Sequence, residues 1–268
     1  MDRKKNLALL CDYGLDDAIA TAYLMKHTEL FNRIDILPVG GNFPLQECFV
    51  NTKRVLWAVK QEDPTLALDK LRIVDTSALP QPEERIADIH GNDGMGDVLP
   101  ISYEETAKVI PYAAWLNEVD ASYIIVSLGP CTVTQDILEK KGALPLCFMC
   151  GNISEPPNYK GYEFNHGVNP GAFSACVKYP HVAATLDSCH TEKGDLNSME
   201  LNTGDTLGIL LNRYRELSNE RKEPACYVYD LTVAVWLVHP ERFTTEVMTD
   251  PYGNVITVLK YISDLRII

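Results

Sequence analysis

The chain has 268 residues, of which 46% are hydrophobic and 23% charged, so it can bury a large core and has no window biased enough to predict disorder. Its net charge of -13 argues against nucleic acid or an anionic membrane as the main partner, because both require a basic surface. Eight scattered cysteines are typical of reduced, buried thiols. The first apolar run is too short for a secretory signal, and no run approaches membrane length. We therefore expect a cytoplasmic protein with no membrane partner.

An apolar run near the start of the chain ends abruptly in three aspartates, Asp12, Asp16 and Asp17. Residues 7–11 are predicted to form a buried strand and residues 18–25 a helix, so these acids lie between a strand end and a helix start. Three carboxylates this close repel one another unless a cation lies between them, and oxygen ligands suit Ca²⁺ or Mg²⁺. Helix capping is the alternative for Asp16 alone, because a cap needs one acid.

Strands and helices alternate along the rest of the chain. This predicts a single α/β domain over residues 1–268, with a mainly parallel, mixed central sheet flanked by helices and a ligand site at the carboxyl ends of the strands. Further strands are expected at residues 34–39, 71–74, 122–128, 144–149 and 181–186. Further helices are expected at residues 49–59, 104–116, 132–140, 171–178, 206–217 and 231–238. Residues 243–248 and 255–261 are predicted to form a closing β-hairpin.

Two long loops carry polar residues in patterns that favour function. The first, residues 76–102, places His90 in a glycine-rich stretch, which indicates a flap over a pocket, with a solvated loop as the alternative. The second, residues 151–169, is rich in side chains suited to sugar hydroxyls, which both donate and accept hydrogen bonds; a polar surface loop is the alternative. Its polar side chains include Asn152, Glu155, Asn158, Glu163, Asn165 and His166.

Three further positions lie at strand ends or in an apolar segment. Asp230 is flanked by apolar residues, where a carboxylate is costly unless it is paired or coordinated, so it is the best candidate for a fourth acidic ligand. A helix N-cap at Asp230 is compatible with that role. Asn42 follows a glycine pair that would let backbone approach a ligand closely, although an ordinary turn is the alternative. The strand end at Leu128 could lend a main-chain oxygen to a cation near Asp12.

Taken in order, these motifs resemble those of the inosine-uridine-preferring nucleoside hydrolases. The matching segments are Asp12 with Asp16 and Asp17, Val39-Gly40-Gly41-Asn42, His90-Gly91-Asn92-Asp93-Gly94, Leu128-Gly129-Pro130, Glu163-Phe164-Asn165 and Asp230. The resemblance implies a Ca²⁺-dependent hydrolase that cleaves the N-glycosidic bond of small-molecule ribonucleosides to ribose and free base. Members of the family are commonly oligomers, which implies a homodimer or homotetramer.

The resemblance also implies roles for individual residues. The implied cation ligands are Asp12, Asp16, Asp17, Asp230 and the main-chain oxygen of Leu128. Asp12 is implied to be the general base. The implied ribose-binding residues are Asn42, Glu163 and Asn165, together with Asp16 and either Asn152 or Asn158.

Tyr229 departs from the family pattern. It stands where one branch of the family has the histidine that protonates the leaving base, and a phenol with an ordinary pKa of about 10 is a weaker acid than imidazolium. His90 and His166 are alternative acids. Two other functions stay open: a ribose- or nucleoside-binding homologue with weak or altered hydrolase activity, and a Mg²⁺-dependent phosphatase with an aspartate nucleophile. The phosphatase ranks low because no basic residue lies in the acidic motifs.

Overall fold

A computed structural model of the protein describes residues 4–104, 107–201 and 204–263, and it contains a nine-stranded sheet flanked by helices. The strands are β1 (Lys5–Cys11), β2 (Phe31–Pro38), β3 (Leu71–Asp75), β4 (Lys108–Pro111), β5 (Tyr123–Ser127), β6 (Leu146–Met149), β7 (His181–Ala184), β8 (Phe243–Thr249) and β9 (Val255–Tyr261). The helices are α1 (Leu15–Met25), α2 (Leu45–Glu62), α3 (Ala87–His90), α4 (Tyr112–Glu118), α5 (Thr132–Lys141), α6 (Phe164–Val168), α7 (Pro170–Cys176), α8 (Leu186–Cys189), α9 (Thr206–Glu220) and α10 (Tyr229–Val238).

The strand order places β1 at the topological switch point of the sheet. The order is β4-β3-β2-β1-β5-β6-β7-β9-β8, and every neighbouring pair is parallel except β8 with β9. β1 pairs with both β2 and β5, so the chain first builds the sheet to one side of β1 and then to the other. Open α/β sheets bind ligands at such a switch point, outside the carboxyl ends of the strands. The predicted α/β fold with a mainly parallel, mixed sheet is confirmed.

β1 is buried on both faces, which explains its continuous apolar run. Leu7 and Leu9 pack into one hydrophobic cluster, whereas Ala8 and Leu10 pack into another on the opposite side of the sheet. The alternation follows from the two-residue period of a strand. Both faces of the central strand are therefore fixed by packing, and so is the direction in which the chain leaves at Asp12.

The helix predicted at residues 104–116 is wrong over most of its length. Residues 105 and 106 lie outside the described residues, and β4 is a strand that pairs with β3 before α4 begins at Tyr112. Pro111 accounts for the difference, because proline disfavours helical backbone in the residue before it and cannot sit in a helix interior. The β-branched Val109 and Ile110 also suit an edge strand.

None of the helices within residues 4–104, 107–201 and 204–263 has the length and apolar character needed to cross a bilayer.

A buried ion pair anchors one half of the sheet, and its loss should destabilise the fold. The fully buried Asp35 carboxylate accepts hydrogen bonds from Arg72 (2.7 and 2.9 Å), the indole of Trp115 (2.9 Å) and the phenol of Tyr123 (2.8 Å). Arg72→Met leaves that buried charge uncompensated, so we expect the free energy of unfolding to fall by about 3–5 kcal/mol. The midpoint of thermal unfolding should fall by about 6–20 °C.

Arg33→Met is the matched control, because Arg33 pairs with Glu118 at 3.0 Å while both side chains are partly exposed. A pair of this kind contributes no more than about 1 kcal/mol. Equal losses of stability in the two variants would contradict the role assigned to the Asp35 pair.

Candidate active site

Four aspartates from opposite ends of the chain meet at the carboxyl ends of the central strands. Asp12 directly follows β1, Asp16 and Asp17 lie in the first turn of α1, and Asp230 lies in the first turn of α10, which packs against α1. Carboxylate oxygens of Asp16, Asp17 and Asp230 lie within 4.8 Å of one another. All four side chains are buried. The switch-point topology thus brings together acids separated by more than two hundred residues.

Asp12 is held in place by the segment that follows β2. The backbone N–H of Asn42 donates to Oδ2 of Asp12 at 2.7 Å, and the Asn42 amide donates to Oδ1 at 3.1 Å. A Cβ on Gly41 would lie 2.0 Å from Oδ2 of Asp12, and one on Gly129 would lie 2.9 Å from the Asp12 Cβ. Glycine is required at both positions because the backbone must approach this carboxyl group closely.

Burial sets the protonation of the acids. Burial raises the pKa of Asp12 to about 7, against the lowering effect of the Asn42 N–H. The pKa values of Asp17 and Asp230 are also raised by burial and then by the neighbouring carboxylates. The cluster therefore cannot carry its full negative charge without a nearby positive charge.

The donor set fits a hard cation. Oδ1 of Asp16 and Oδ1 of Asp17 are buried and have no hydrogen-bond partner, whereas Oδ2 of Asp17 accepts the Gly14 N–H at 2.9 Å. A buried acceptor without a donor is costly, and a cation removes that cost by coordination. Several carboxylate oxygens in a small volume are the ligands that Ca²⁺ and Mg²⁺ prefer.

An open cleft of about 670 Å³, counting the solvent at its mouth, adjoins the aspartates. The predicted residues that line it are Asp16, Asn42, His90, Leu128, Asn158, Glu163, Asn165, Tyr229 and Asp230. The rest of its wall is Ile86, Ile89, Met149, Tyr159, Phe164, Leu186 and Tyr214. The lining therefore combines polar and acidic side chains with apolar and aromatic ones, which suits a ligand with a hydroxylated part and a flat ring.

Sequence reasoning missed this apolar wall. Tyr214 and Leu186 lie in helices, where an apolar pattern cannot distinguish a pocket wall from the core. Only Phe164, an aromatic residue between Glu163 and Asn165, gave a signal.

Asn165 and Glu163 join the second loop to the strand ends. The Asn165 amide donates to the main-chain oxygens of Leu128 (2.7 Å) and Met149 (3.0 Å), and its Oδ1 is buried without a partner. Glu163 caps α6 by accepting the N–H groups of Asn165 and His166, each at 3.0 Å. Burial raises the pKa of Glu163 to about 7. The Leu128 oxygen keeps a second lone pair that a cation could use.

His90 reaches the cleft from the first loop. The Leu15 N–H donates to its Nδ1 at 3.1 Å, so in the neutral ring the proton is on Nε2. The same Nδ1 lies 3.6 Å from Oδ1 of Asp16, and burial lowers the pKa of His90. A Cβ on Gly14 would lie 2.7 Å from the imidazole, so glycine makes room for the ring.

Four predicted residues do not line the cleft: Asp12 and Asp17, which are fully buried in the acidic cluster, and His166 and Asn152. The His166 ring packs against Phe173 at 4.2 Å and Tyr162 at 4.6 Å between ring centroids, and burial lowers its pKa to about 4. The Asn152 amide donates to the main-chain oxygen of Glu155 at 2.8 Å. The polar neighbours of His166 and Asn152 in sequence gave no way to separate these two from the residues that reach the cleft.

Comparison with known proteins gives concordant results. The fold matches a plant nucleoside hydrolase, PpNRh1 (TM-score 0.69, 21% identity, covering 96% of this chain and 87% of that chain). It also matches a purine-preferring ribonucleoside hydrolase from Gardnerella vaginalis (0.70, 20%, 97% and 94%) and an inosine-guanosine nucleoside hydrolase (0.66, 18%, 96% and 87%). A search of curated proteins gives no match.

The family model of the inosine-uridine preferring nucleoside hydrolases matches residues 7–259, a span that includes all four aspartates and both loops. The fold and the composition of the cleft agree with that match. The chain therefore belongs to the inosine-uridine preferring nucleoside hydrolase family and is a ribonucleoside N-glycosidase.

Proposed function

We propose that the protein is a Ca²⁺-dependent hydrolase that cleaves ribonucleosides to ribose and free base, with Asp12 as the general base. The observation that carries the proposal is the buried cluster of Asp16, Asp17 and Asp230, whose oxygens lie within 4.8 Å of one another beside a cleft with amide and aromatic walls. Ca²⁺ is favoured over Mg²⁺ because it accepts many carboxylate and carbonyl oxygens in a forgiving geometry.

The proposed cation ligands are Asp12, Asp16, Asp17, Asp230 and the main-chain oxygen of Leu128. When bound, the cation supplies positive charge that compensates the acids and lowers the pKa of water. Asp12 takes the proton of the attacking water. Its two hydrogen bonds from Asn42 support this, because they hold the carboxylate in a fixed orientation.

The ribose lies against the polar side chains of the cleft in this proposal. Asn42, Glu163, Asn165 and Asn158 line the cleft and offer donors and acceptors to sugar hydroxyls, as does Asp16. Carboxylates near the anomeric carbon stabilise the positive charge that develops there as the bond to the base breaks.

In this proposal the base lies against the aromatic side chains of the cleft, whose lining also includes Tyr229 and His90. Either side chain can donate a hydrogen bond to a ring nitrogen of the leaving base there. His166 has no place in this proposal, since its ring packs against Phe173 and Tyr162 instead of lining the cleft.

A substrate panel tests the proposal. The purified protein with Ca²⁺ should release base from inosine or uridine and nitrophenol from a nitrophenyl riboside, measured by absorbance. The last substrate needs little protonation of its leaving group. Cleavage of the nitrophenyl riboside alone would indicate a working hydrolytic centre with a different base preference. Binding of ribose without cleavage of any substrate would favour the binding homologue.

We further propose a homodimer or homotetramer in the cytoplasm. The closing hairpin β8–β9 leaves Val247 68% and Val255 57% exposed, which suits a contact between copies. The eight cysteines, all in the described part of the chain, are buried and free, as in a reducing compartment. Light scattering would give the mass, and a monomer would contradict the first of these proposals.

A further inference from the structure

Tyr229 is the end of a chain of hydrogen bonds that leads away from the cleft. Its hydroxyl lies 3.1 Å from Nε2 of His190, and Nδ1 of His190 lies 2.8 Å from Oε2 of Glu155. Tyr229 begins α10, His190 directly follows α8, and Glu155 lies in the second loop. Three separate elements thus contribute to one chain of hydrogen bonds, of which only Tyr229 lines the cleft.

The order of donors in this chain is fixed at one end. The Glu155 carboxylate can only accept, so Nδ1 of His190 carries a proton. Nε2 then accepts from the Tyr229 hydroxyl when the ring is neutral, and donates to the phenol oxygen when the ring is an imidazolium. In the second state the phenol proton is free to point into the cleft.

Neighbouring groups hold the pair in position. Asp187, which lies in α8, accepts backbone N–H groups from residues 153–155 at 2.6 to 3.2 Å. The helix that ends next to His190 therefore also fixes the loop that carries Glu155. The Tyr227 ring stacks on His190, with 4.7 Å between centroids and 25° between planes. These contacts restrict the His190 ring and the backbone that carries Glu155, although His190 and Glu155 are only half-buried.

We infer that His190, oriented by Glu155, supplies through Tyr229 the proton that the leaving base takes up. This inference rests on the proposed hydrolase function. As the C–N glycosidic bond breaks, its electron pair passes to the base, and a base nitrogen takes the Tyr229 hydroxyl proton. The phenol oxygen takes the Nε2 proton of His190. The attacking water gives its oxygen to the anomeric carbon and a proton to Asp12.

Tyr229 gives one proton and receives one, so its own ionisation does not change. The net loss of a proton falls on His190, and imidazolium is a much stronger acid than a phenol. A tyrosine in place of a histidine is therefore sufficient for leaving-group protonation if a histidine stands behind it. Solvent then exchanges protons with His190 and Asp12 and returns the enzyme to its starting state.

Leaving-group dependence tests this relay, because a purely structural pair would affect every substrate alike. In the full chain with Ca²⁺, His190→Gln and Glu155→Gln should lower kcat for inosine, by about 10²-fold for His190→Gln, with little change in KM. Turnover of the nitrophenyl riboside should stay within about threefold, since that leaving group needs little protonation. Added imidazole should restore inosine turnover in His190→Ala.

His239→Gln is the matched control. His239 pairs with Glu241 at 3.1 Å at the opposite end of α10, so it offers the same chemistry away from Tyr229. This variant should cleave both substrates like the wild type. A double-mutant cycle adds a second readout: Tyr229→Phe should lose inosine turnover selectively, and adding His190→Gln should lower it little further, because both remove one route.

The outcomes separate the two proposals. The relay is overturned, and the hydrolase proposal stands, if the wild type cleaves both substrates and the His190 and Glu155 variants retain the wild-type ratio of inosine turnover to nitrophenyl riboside turnover. An equal loss of both activities is one such result. If the wild type cleaves neither substrate, the hydrolase proposal fails and the relay fails with it. Selective loss of inosine turnover, with rescue by imidazole, supports the relay.

Discussion

Replacing Asp12 with asparagine should lower kcat for inosine by about 10³-fold while leaving nucleoside binding largely intact. The amide has nearly the same shape as the carboxylate, and its oxygen can still accept the Asn42 N–H that Asp12 accepts at 2.7 Å. It cannot take a proton from water. The Asn42 amide, which donates to Oδ1 at 3.1 Å, would have to turn to present its oxygen. Steady-state kinetics and calorimetric titration with ribose measure the two effects separately.

Asp136→Asn is a suitable control for Asp12→Asn. Asp136 accepts hydrogen bonds from Tyr112 at 2.7 Å and Lys140 at 2.9 Å on α5, outside the cleft. Its substitution should leave kcat unchanged. Retention of more than about a tenth of wild-type kcat by Asp12→Asn would contradict the general-base assignment.

Removal of divalent cations should abolish hydrolysis and lower stability together. The buried, unpartnered oxygens of Asp16 and Asp17 and the nearby Asp230 then face one another without a compensating charge. Saturating Ca²⁺ at about 100 times its dissociation constant should stabilise the fold by about 2.7 kcal/mol. Calorimetry should show the unfolding midpoint rise with Ca²⁺ concentration, and activity should return in parallel.

The cation-free protein should also become less stable as pH rises. Burial raises the pKa values of Asp12 (to about 7), Asp17 and Asp230 above their unfolded values, so the folded state binds more protons. Stability contributed by these protonated acids is fully present below about pH 4, the unfolded pKa of an aspartate, and is lost as pH rises through the folded pKa values, of which that of Asp12 is about 7. With Ca²⁺ bound, the acids are held ionised and this loss should disappear.

Unfolding midpoints at pH 5.5 and 7.5, with and without Ca²⁺, measure the difference. Asp230→Asn is the control, because it removes one proposed ligand and should weaken the response to Ca²⁺. An identical pH dependence with and without the cation would contradict a site at the aspartates, and full activity after exhaustive chelation would contradict the Ca²⁺ proposal.

The sequence predicted the acidic part of the site better than the rest of the cleft. Asp12, Asp16 and Asp17 follow a strand directly, and Asp230 was recognised because a carboxylate in an apolar segment needs a partner. Their convergence follows from topology, since β1 is central and α10 packs against α1. Local sequence patterns therefore sufficed to identify these four residues as site candidates, whereas their convergence depends on the topology of the sheet.

Residues that depend on tertiary packing were not predictable in this way. His190 has no motif around it, and its contacts with Tyr229 and Glu155 bridge 39 and 35 residues. Tyr214 has the spacing of a core residue on α9. The edge strand β4 was mistaken for a helix, because apolar periodicity in a short segment does not by itself separate the two.

Asp12 directly follows the first strand, Asp16 and Asp17 lie in the first turn of the first helix, and Asp230 lies in the first turn of α10, the last α-helix of the described residues. A nascent chain in which residue 230 has not yet left the ribosome lacks one of the four aspartates, even when its earlier strands have formed. The acidic cluster is therefore complete only after α10 has been synthesised, and a truncation before Asp230 would remove one proposed cation ligand together with that helix.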